Sequence, residues 1–279
     1  MKISTYIALI FICMSFISPT ATSVYGTQRQ DNITEKQEDF QPIWSDNFDN
    51  YPEGPLNSQG GWEAGGDHVW VTSEHAHSSP HSCRFDQNGN AVHQYSGYTT
   101  GIWIYTTWQY IPVEASGYST YFILKNRQGQ DESWSTQLEF NPDLHVVESE
   151  FEGATLSLEQ GEWVELRIVI DLDHDVQHIF YDDQLLSSKS WTAGVSGGGD
   201  LDIAGVDIWA NFADYNVYYD DMALTPGIHG DVNGDGDIDT DDLLTLLAAW
   251  GNTSGPEDVN ADGEVNTEDL LILLGNWIG

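Results

Sequence analysis

Between Pro42 and Pro226 the chain alternates short apolar or period-two runs with clusters of Gly, Asn and Asp. The runs are GIWIYTTWQYIPV (101–113), YSTYFILKN (118–126), STQLEFN (135–141), EWVELRIVIDL (162–172), VQHIFYDDQLL (176–186), AGVDIWANF (204–212) and VYYDDMAL (217–224). Short segments rich in β-branched and aromatic residues, broken by turn formers, predict an antiparallel β-sandwich. No long amphipathic helical period interrupts them. The runs on either side of the polar DLDHD predict a β-hairpin, each run being taken as one strand. After Gly227 the period changes. Leu243, Leu246, Leu247 and Trp250 stand at i, i+3, i+4 and i+7, and Leu270, Leu273, Leu274 and Trp277 repeat the set 27 positions later. Each set predicts one helix with a buried apolar face.

Each helix follows a twelve-residue acidic stretch, DVNGDGDIDTDD or DVNADGEVNTED. A calcium loop of the EF type needs oxygen ligands at positions 1, 3 and 5 and Gly at 6. It then uses a backbone carbonyl at 7, a ligand at 9 and a carboxylate at 12. Asp231, Asn233, Asp235, Gly236, Asp237, Asp239 and Asp242 meet this in the first loop; Asp258, Asn260, Asp262, Gly263, Glu264, Asn266 and Asp269 meet it in the second. Ile238 and Val265 fall on position 8, where an apolar side chain pins paired loops. Position 12 is Asp rather than Glu, and PGIHG ahead of the first loop excludes an entering helix. This duplicated loop-then-helix unit resembles the type I dockerin, the module that docks secreted polysaccharide-degrading enzymes onto cohesin domains. The resemblance covers 227–279, with repeats at 231–251 and 258–279. It implies a small all-α module with two bound calcium ions, a pseudo-twofold shape, and a cohesin-like domain or cell-surface component as partner. It also assigns partner contacts to loop positions 10 and 11, here Thr240, Asp241, Thr267 and Glu268. The acidic position 11 departs from the small hydroxyl pairs common in cellulosomal dockerins.

Charge supports a cation-binding reading. Eight Lys and Arg stand against 45 Asp and Glu, a formal charge of -37, which repels nucleic acid and anionic lipid and attracts divalent cations. The segment 227–279 contains no Lys or Arg at all. At the other end, Met1-Lys2, the apolar run Tyr6–Ile17 and small neutral residues through Gly26 read as a cleaved secretory signal, 1–26, with no membrane insertion afterwards. A polar leader follows, 27–41. The protein is therefore expected to be secreted, extracellular or attached to the cell surface. Cys13 lies within the signal, which leaves Cys83 alone and excludes an internal disulfide.

Across 42–226 the stretches SDNFDNYPEG, GEWVELRIVIDLD, FYDDQLL and IWANFADYNVYYDDMAL resemble the concanavalin A-like, laminin-G-type jelly rolls of secreted bacterial proteins. That resemblance implies a mainly β fold and a polysaccharide ligand. Trp103, Trp191 and Trp209 are its candidate sugar-binding rings, weighed against a role in the core. In ESEFE, alternation places Glu148, Glu150 and Glu152 on one strand face, the arrangement a retaining glycosidase needs for carboxyls about 5 Å apart; a solvated strand face is the plainer reading. His75, His77, His81 and Cys83 offer a transition-metal set, against a solvated loop. Asp46 and Asp49 with Asp220 or Asp221 offer a third calcium site between first and last strands, against turn capping. The combined expectation is a secreted polysaccharide-binding protein with a calcium-dependent docking module; the alternatives are a glycoside hydrolase, a polysaccharide lyase or a structural surface protein. The isolated segment 227–279 is expected to gain helix content with calcium by circular dichroism, since its carboxylates otherwise repel one another. Equal helicity in calcium and in excess chelator overturns this.

Overall fold

A computed structural model describes residues 42–65 and 67–277. The expected signal and leader, 1–41, and positions 278–279 of the second repeat lie outside the described residues. The strands are β1 (Trp44–Asp46), β2 (Gly54–Pro55), β3 (Glu63–Ala64), β4 (Val69–Thr72), β5 (Ser82–Phe85), β6 (Asn90–Gln94), β7 (Ile102–Tyr110), β8 (Thr120–Arg127) and β9 (Ser133–Asn141). They continue with β10 (Val146–Ser149), β11 (Ala154–Ser157), β12 (Trp163–Asp171), β13 (Val176–Tyr181), β14 (Gln184–Ser190), β15 (Gly205–Trp209) and β16 (Val217–Pro226). The helices α1 (Thr240–Ala248) and α2 (Thr267–Gly275) follow.

The strands form an antiparallel sandwich of two sheets. The first runs β14-β13-β12-β7-β16-β5-β4-β2, with β1 also paired to β16; the second runs β11-β10-β9-β8-β15-β6-β3. Alternation along each strand sends one set of side chains inward. Phe122, Leu124, Leu138, Phe140, Val206 and Ile208 of the second sheet share one core with Tyr105, Leu166, Ile168, Ile170, Ile179 and Tyr219 of the first. At its rim Asp46 accepts from Trp62 Nε1 at 2.8 Å, Tyr51 Oη at 2.7 Å and Phe48 N at 3.0 Å.

The hairpin at DLDHD forms as expected, with Asp171 opposite Val176. The run 176–186, however, is two strands. Asp182 and Asp183 both take left-handed backbone, φ 51° and 57°, which makes a two-residue turn of the kind that matches strand twist. Asp tolerates that conformation, and its polarity hides the break in the alternation.

The C-terminal segment rests on the outside of the first sheet. Ile104, Val169 and Phe180, with Ile102, form an apolar patch separate from the core. Gly227 and Gly234 lie over it: a Cβ on Gly227 would sit 2.6 Å from Ile102 Cγ2, and one on Gly234 2.5 Å from Val169 Cγ2. Arg167 Nε donates to Asn233 O at 3.2 Å, while its Nη groups hold Glu165 and Asp183. Each helix starts where a loop side chain caps it. Asp239 and Asn266 accept from the backbone two residues on, and Asp242 and Asp269 return the bond to the cap. Ile238, Leu246, Ala249, Val265 and Leu273 are the buried core of the segment. The position 8 side chains thus share one core, but the Val265 backbone pairs with the end of the first repeat, to Gly251 N and Asn252 O, both at 2.8 Å. Leu247, Trp250 and Leu274, expected on buried faces, are instead about half exposed, at 46%, 46% and 48%. Two short helices share only one seam, and Leu246 and Leu273 occupy it.

Gly234→Val is expected to destabilise the full chain by about 1–3 kcal/mol. It adds bulk against Val169 at a residue whose φ is +75°. Chemical denaturation at fixed calcium measures the loss; an unchanged midpoint would place the loop off the sheet.

Candidate functional site

The outer face of the second sheet carries a row of five residues in register. Asn90 stands opposite Trp209, Trp209 opposite Tyr121, Tyr121 opposite Glu139, and Glu139 opposite Glu148. Their strand neighbours Ala91, Ile208, Phe122, Phe140 and Val147 belong to the core, so alternation turns the row outward. Tyr121 and Trp209 are stacked, ring centroids 5.5 Å apart and planes 22° from parallel. Beside them, Lys125 Nζ holds Asp207 and Glu132, each at 2.9 Å. Burial opposes the Lys125 charge, but those two carboxylates outweigh it and hold the ammonium above its ordinary pKa. Asn90 Nδ2 donates to Asp207 Oδ1 at 2.5 Å.

Glu150 completes the group. Its backbone N–H donates to Gln137 O at 3.0 Å, the Gln137 amide donates to its carboxylate, and the Glu139 carboxylate on the neighbouring strand lies near enough to repel it. Burial, then Glu139 and Glu148, raise its pKa above the ordinary carboxylate range. Tyr121, through burial and then Glu139 and Glu150, is pushed up to about 12. The ESEFE expectation therefore needs correction. β10 ends at Ser149, and Phe151 takes φ 71° in the turn that follows. Glu152 is carried to the first sheet, where it accepts from Ser187 Oγ, and from Ser149 Oγ at 3.1 Å, with Lys189 Nζ 3.6 Å away. Glu139, from a neighbouring strand, takes the place beside Glu150. The alternation in STQLEFN shows Glu139 opposite in phase to Leu138 and Phe140; only sheet pairing brings it to Glu150.

Among the proposed sugar rings, Trp209 alone lies on this outer face. Trp191 is fully buried and donates to Asp202 O at 3.1 Å. Trp103 shares the inward phase of Tyr105, packs against the core, meets Tyr98 edge-on at 4.9 Å and donates to Thr100 O at 2.9 Å. The histidine set does not converge. His75 stacks on Tyr110 at 4.5 Å, His77 on Trp108 at 4.0 Å, and Cys83 is buried, its thiol pKa pushed up by that burial. The Asp46 carboxylate is occupied as described above. Asp49 accepts from His81 N and Asn47 Nδ2, and Asp221 from His77 Nδ1 at 2.6 Å and Ser78 Oγ at 2.7 Å. Asp220 accepts from His77 N and Ser78 N; burial and the neighbouring Asp221 raise its pKa to about 7. Asp46 and Asp221 line one cavity, which Asp49 does not line.

The two acidic loops fold alike. Asp231 accepts from Gly234 N at 2.6 Å and Gly236 N at 2.9 Å, and Asp258 accepts from Asp262 N at 3.1 Å and Gly263 N at 3.0 Å. Asn233 and Asn260 each accept from the residue two further on; Asp235 and Asp262 do the same. Asp242 and Asp269 are buried and bind amides near each loop's start and at each helix cap. Asp237 and Glu264 are exposed, leaving position 7 to its carbonyl. Asp239 and Asn266 are already the helix caps. Burial pushes Asp231 up to about 7 and raises Asp242 as well. Carboxylates crowded so that one holds its proton to near neutrality, in a segment without Lys or Arg, fit a hard divalent ion with oxygen ligands. Thr240, Asp241, Thr267 and Glu268 are exposed beside them.

No family model and no curated protein matches the chain. Among solved structures, "Cellulose induced protein, Cip1" is 16% identical with TM-score 0.46, over 65% of this chain and 96% of that one. The CBM22-1 xylan-binding domain from Paenibacillus barcinonensis Xyn10C is 14% identical with TM-score 0.40, over 67% and 95%. A sialidase is 9% identical with TM-score 0.47, over 67% of this chain and 19% of its own.

Glu139→Gln is expected to lower the Glu150 pKa, because it removes the adjacent charge. The sign for stability follows from linkage: a carboxyl whose folded pKa is raised contributes stability below its unfolded pKa and loses it as pH rises through the folded value. The variant should therefore lose less stability across that rise. Carboxyl-carbon NMR titration and denaturation at several pH values read both effects; an unmoved Glu150 midpoint contradicts the contact.

Proposed function

We propose that this is a secreted polysaccharide-binding protein of two modules, a concanavalin A-like jelly roll and a type I dockerin-like C-terminal segment. The observation that carries the reading is the stacked Tyr121–Trp209 pair, flanked in register by Asn90 on one side and Glu139 and Glu148 on the other. A pyranose offers an apolar C–H face and a rim of hydroxyls. A half-buried aromatic pair takes the first, and amides and carboxylates take the second. In the C-terminal segment, Asp231, Asn233, Asp235, Asp242 and their counterparts in the second loop would hold two calcium ions, which supply the positive charge the segment lacks. Leu244, Leu247, Leu271 and Leu274, 46–63% exposed, lie on the same two helices as Thr240, Asp241, Thr267 and Glu268. Exposed leucines beside exposed polar residues suit a cohesin-like partner.

A second reading has its own observation. Glu139 and Glu148 crowd Glu150, whose pKa is raised by burial and by those neighbours, and a carboxyl of raised pKa beside a second one is what glycosidic cleavage asks for. A polysaccharide panel scored for both retention and cleavage separates the two. Binding predicts retention of at least one glycan, weakened at least roughly tenfold by Trp209→Ala, as for loss of a central aromatic anchor. Cleavage predicts product that Glu150→Gln abolishes. A chain that neither retains nor cuts any glycan removes the carbohydrate reading.

A further inference from the structure

Apart from these two surfaces, one set of side chains converges where the C-terminal segment meets the sandwich. Asp171 ends β12, His174 lies in the DLDHD turn, and His229 lies in the linker between β16 and the first acidic loop. One donor atom from each lies within 4.8 Å of the others, and no other His, Cys or carboxylate trio among the described residues gathers so closely. The imidazoles of His174 and His229 meet edge to face, centroids 5.7 Å apart.

We propose that Asp171, His174 and His229 bind one divalent transition-metal ion of the zinc class, which ties the linker to the sandwich. Two imidazole nitrogens and one carboxylate make a donor set for zinc and its neighbours rather than for calcium, which takes oxygen ligands. The carboxylate is held in place before any ion arrives. Asp171 Oδ1 accepts from Asp173 N at 2.9 Å and His174 N at 3.0 Å, which aims Oδ2 at His174 Nδ1, 2.7 Å away. Such supporting bonds orient metal ligands. An ion bound there replaces the proton shared by that pair, and the proton leaves to solvent. Access is available, since Asp171 is buried while both imidazoles are part-exposed. His178 lines a cavity with Asp171 and His229 but turns its Nδ1 to Ser188 Oγ at 2.8 Å, and it is not among the three converging residues. With one ligand two residues ahead of Asp231, the ion would fix the first acidic loop against β12.

The test titrates zinc into the full chain in excess calcium, by calorimetry. One ion is expected, bound more tightly than about 100 µM. His174→Gln and His229→Gln should each weaken it by roughly tenfold or more, while His77→Gln, at a ring that stacks on Trp108 away from this site, should leave it unchanged. Cobalt bound to the wild-type chain should show the intense visible bands of low coordination, a readout needing no variant. Zinc binding weaker than about 100 µM overturns the proposal. So does affinity unchanged in both variants, or a cobalt spectrum indistinguishable from that of the hydrated ion.

Discussion

With 45 carboxylates and only 8 cationic side chains, the buried acids of this chain must find most of their hydrogen-bond donors elsewhere. They find them in the backbone and in neutral side chains. Asp46 gathers an indole, a phenol and an amide; Asp171 takes two turn amides; Asp175 takes Thr192 N and the hydroxyls of Ser190 and Thr192. A hydrogen bond to a charged group contributes about 1.5–3 kcal/mol where the donor would otherwise go unpaired, which offsets part of the cost of desolvating the carboxylate. The result is that turns, rather than ion pairs, carry the acidic load. The few cations stand where several acids or two segments meet: Lys125 between Asp207 and Glu132, Arg167 between Glu165, Asp183 and the first acidic loop.

The same constraint separates the two surfaces. Sheets in a sandwich lie about 10 Å apart, and alternation gives each strand one inward and one outward set. The first sheet spends one group of outward apolar residues, Ile102, Ile104, Val169 and Phe180, on the C-terminal segment. The second keeps its outward Tyr121 and Trp209 uncovered enough to remain half-buried. The two surfaces therefore lie on opposite faces of the sandwich.

Much of this was legible from the chain. The strands at 101–113, 118–126, 162–172 and 217–224 announce themselves by alternation, and the two loops by spacing alone, because local geometry dictates both. What stayed hidden was set by distant pairing. Glu139 reaches Glu150 only because β9 and β10 are neighbours, and nothing in STQLEFN names that neighbour. Trp191 follows a strand and borders a glycine-rich loop, as an exposed ring would, yet its ring enters the sandwich core and donates to Asp202 O. The Asp182-Asp183 turn escaped because polar residues fit either a strand's outer phase or a turn. The leucine faces of the helices were overestimated because period shows which side is apolar, not how much of it a two-helix segment can cover.

β16 pairs with β7 along one side and with β5 and β1 along the other, and it ends at Pro226, one residue before the segment that carries the acidic loops. Any pull transmitted through that segment enters the sandwich along the axis of this strand. The ladder bonds on both sides then resist together, in shear, rather than parting one after another as they would if an edge strand were peeled away. The C-terminal segment thus leaves the sandwich from a strand that is paired along both of its edges.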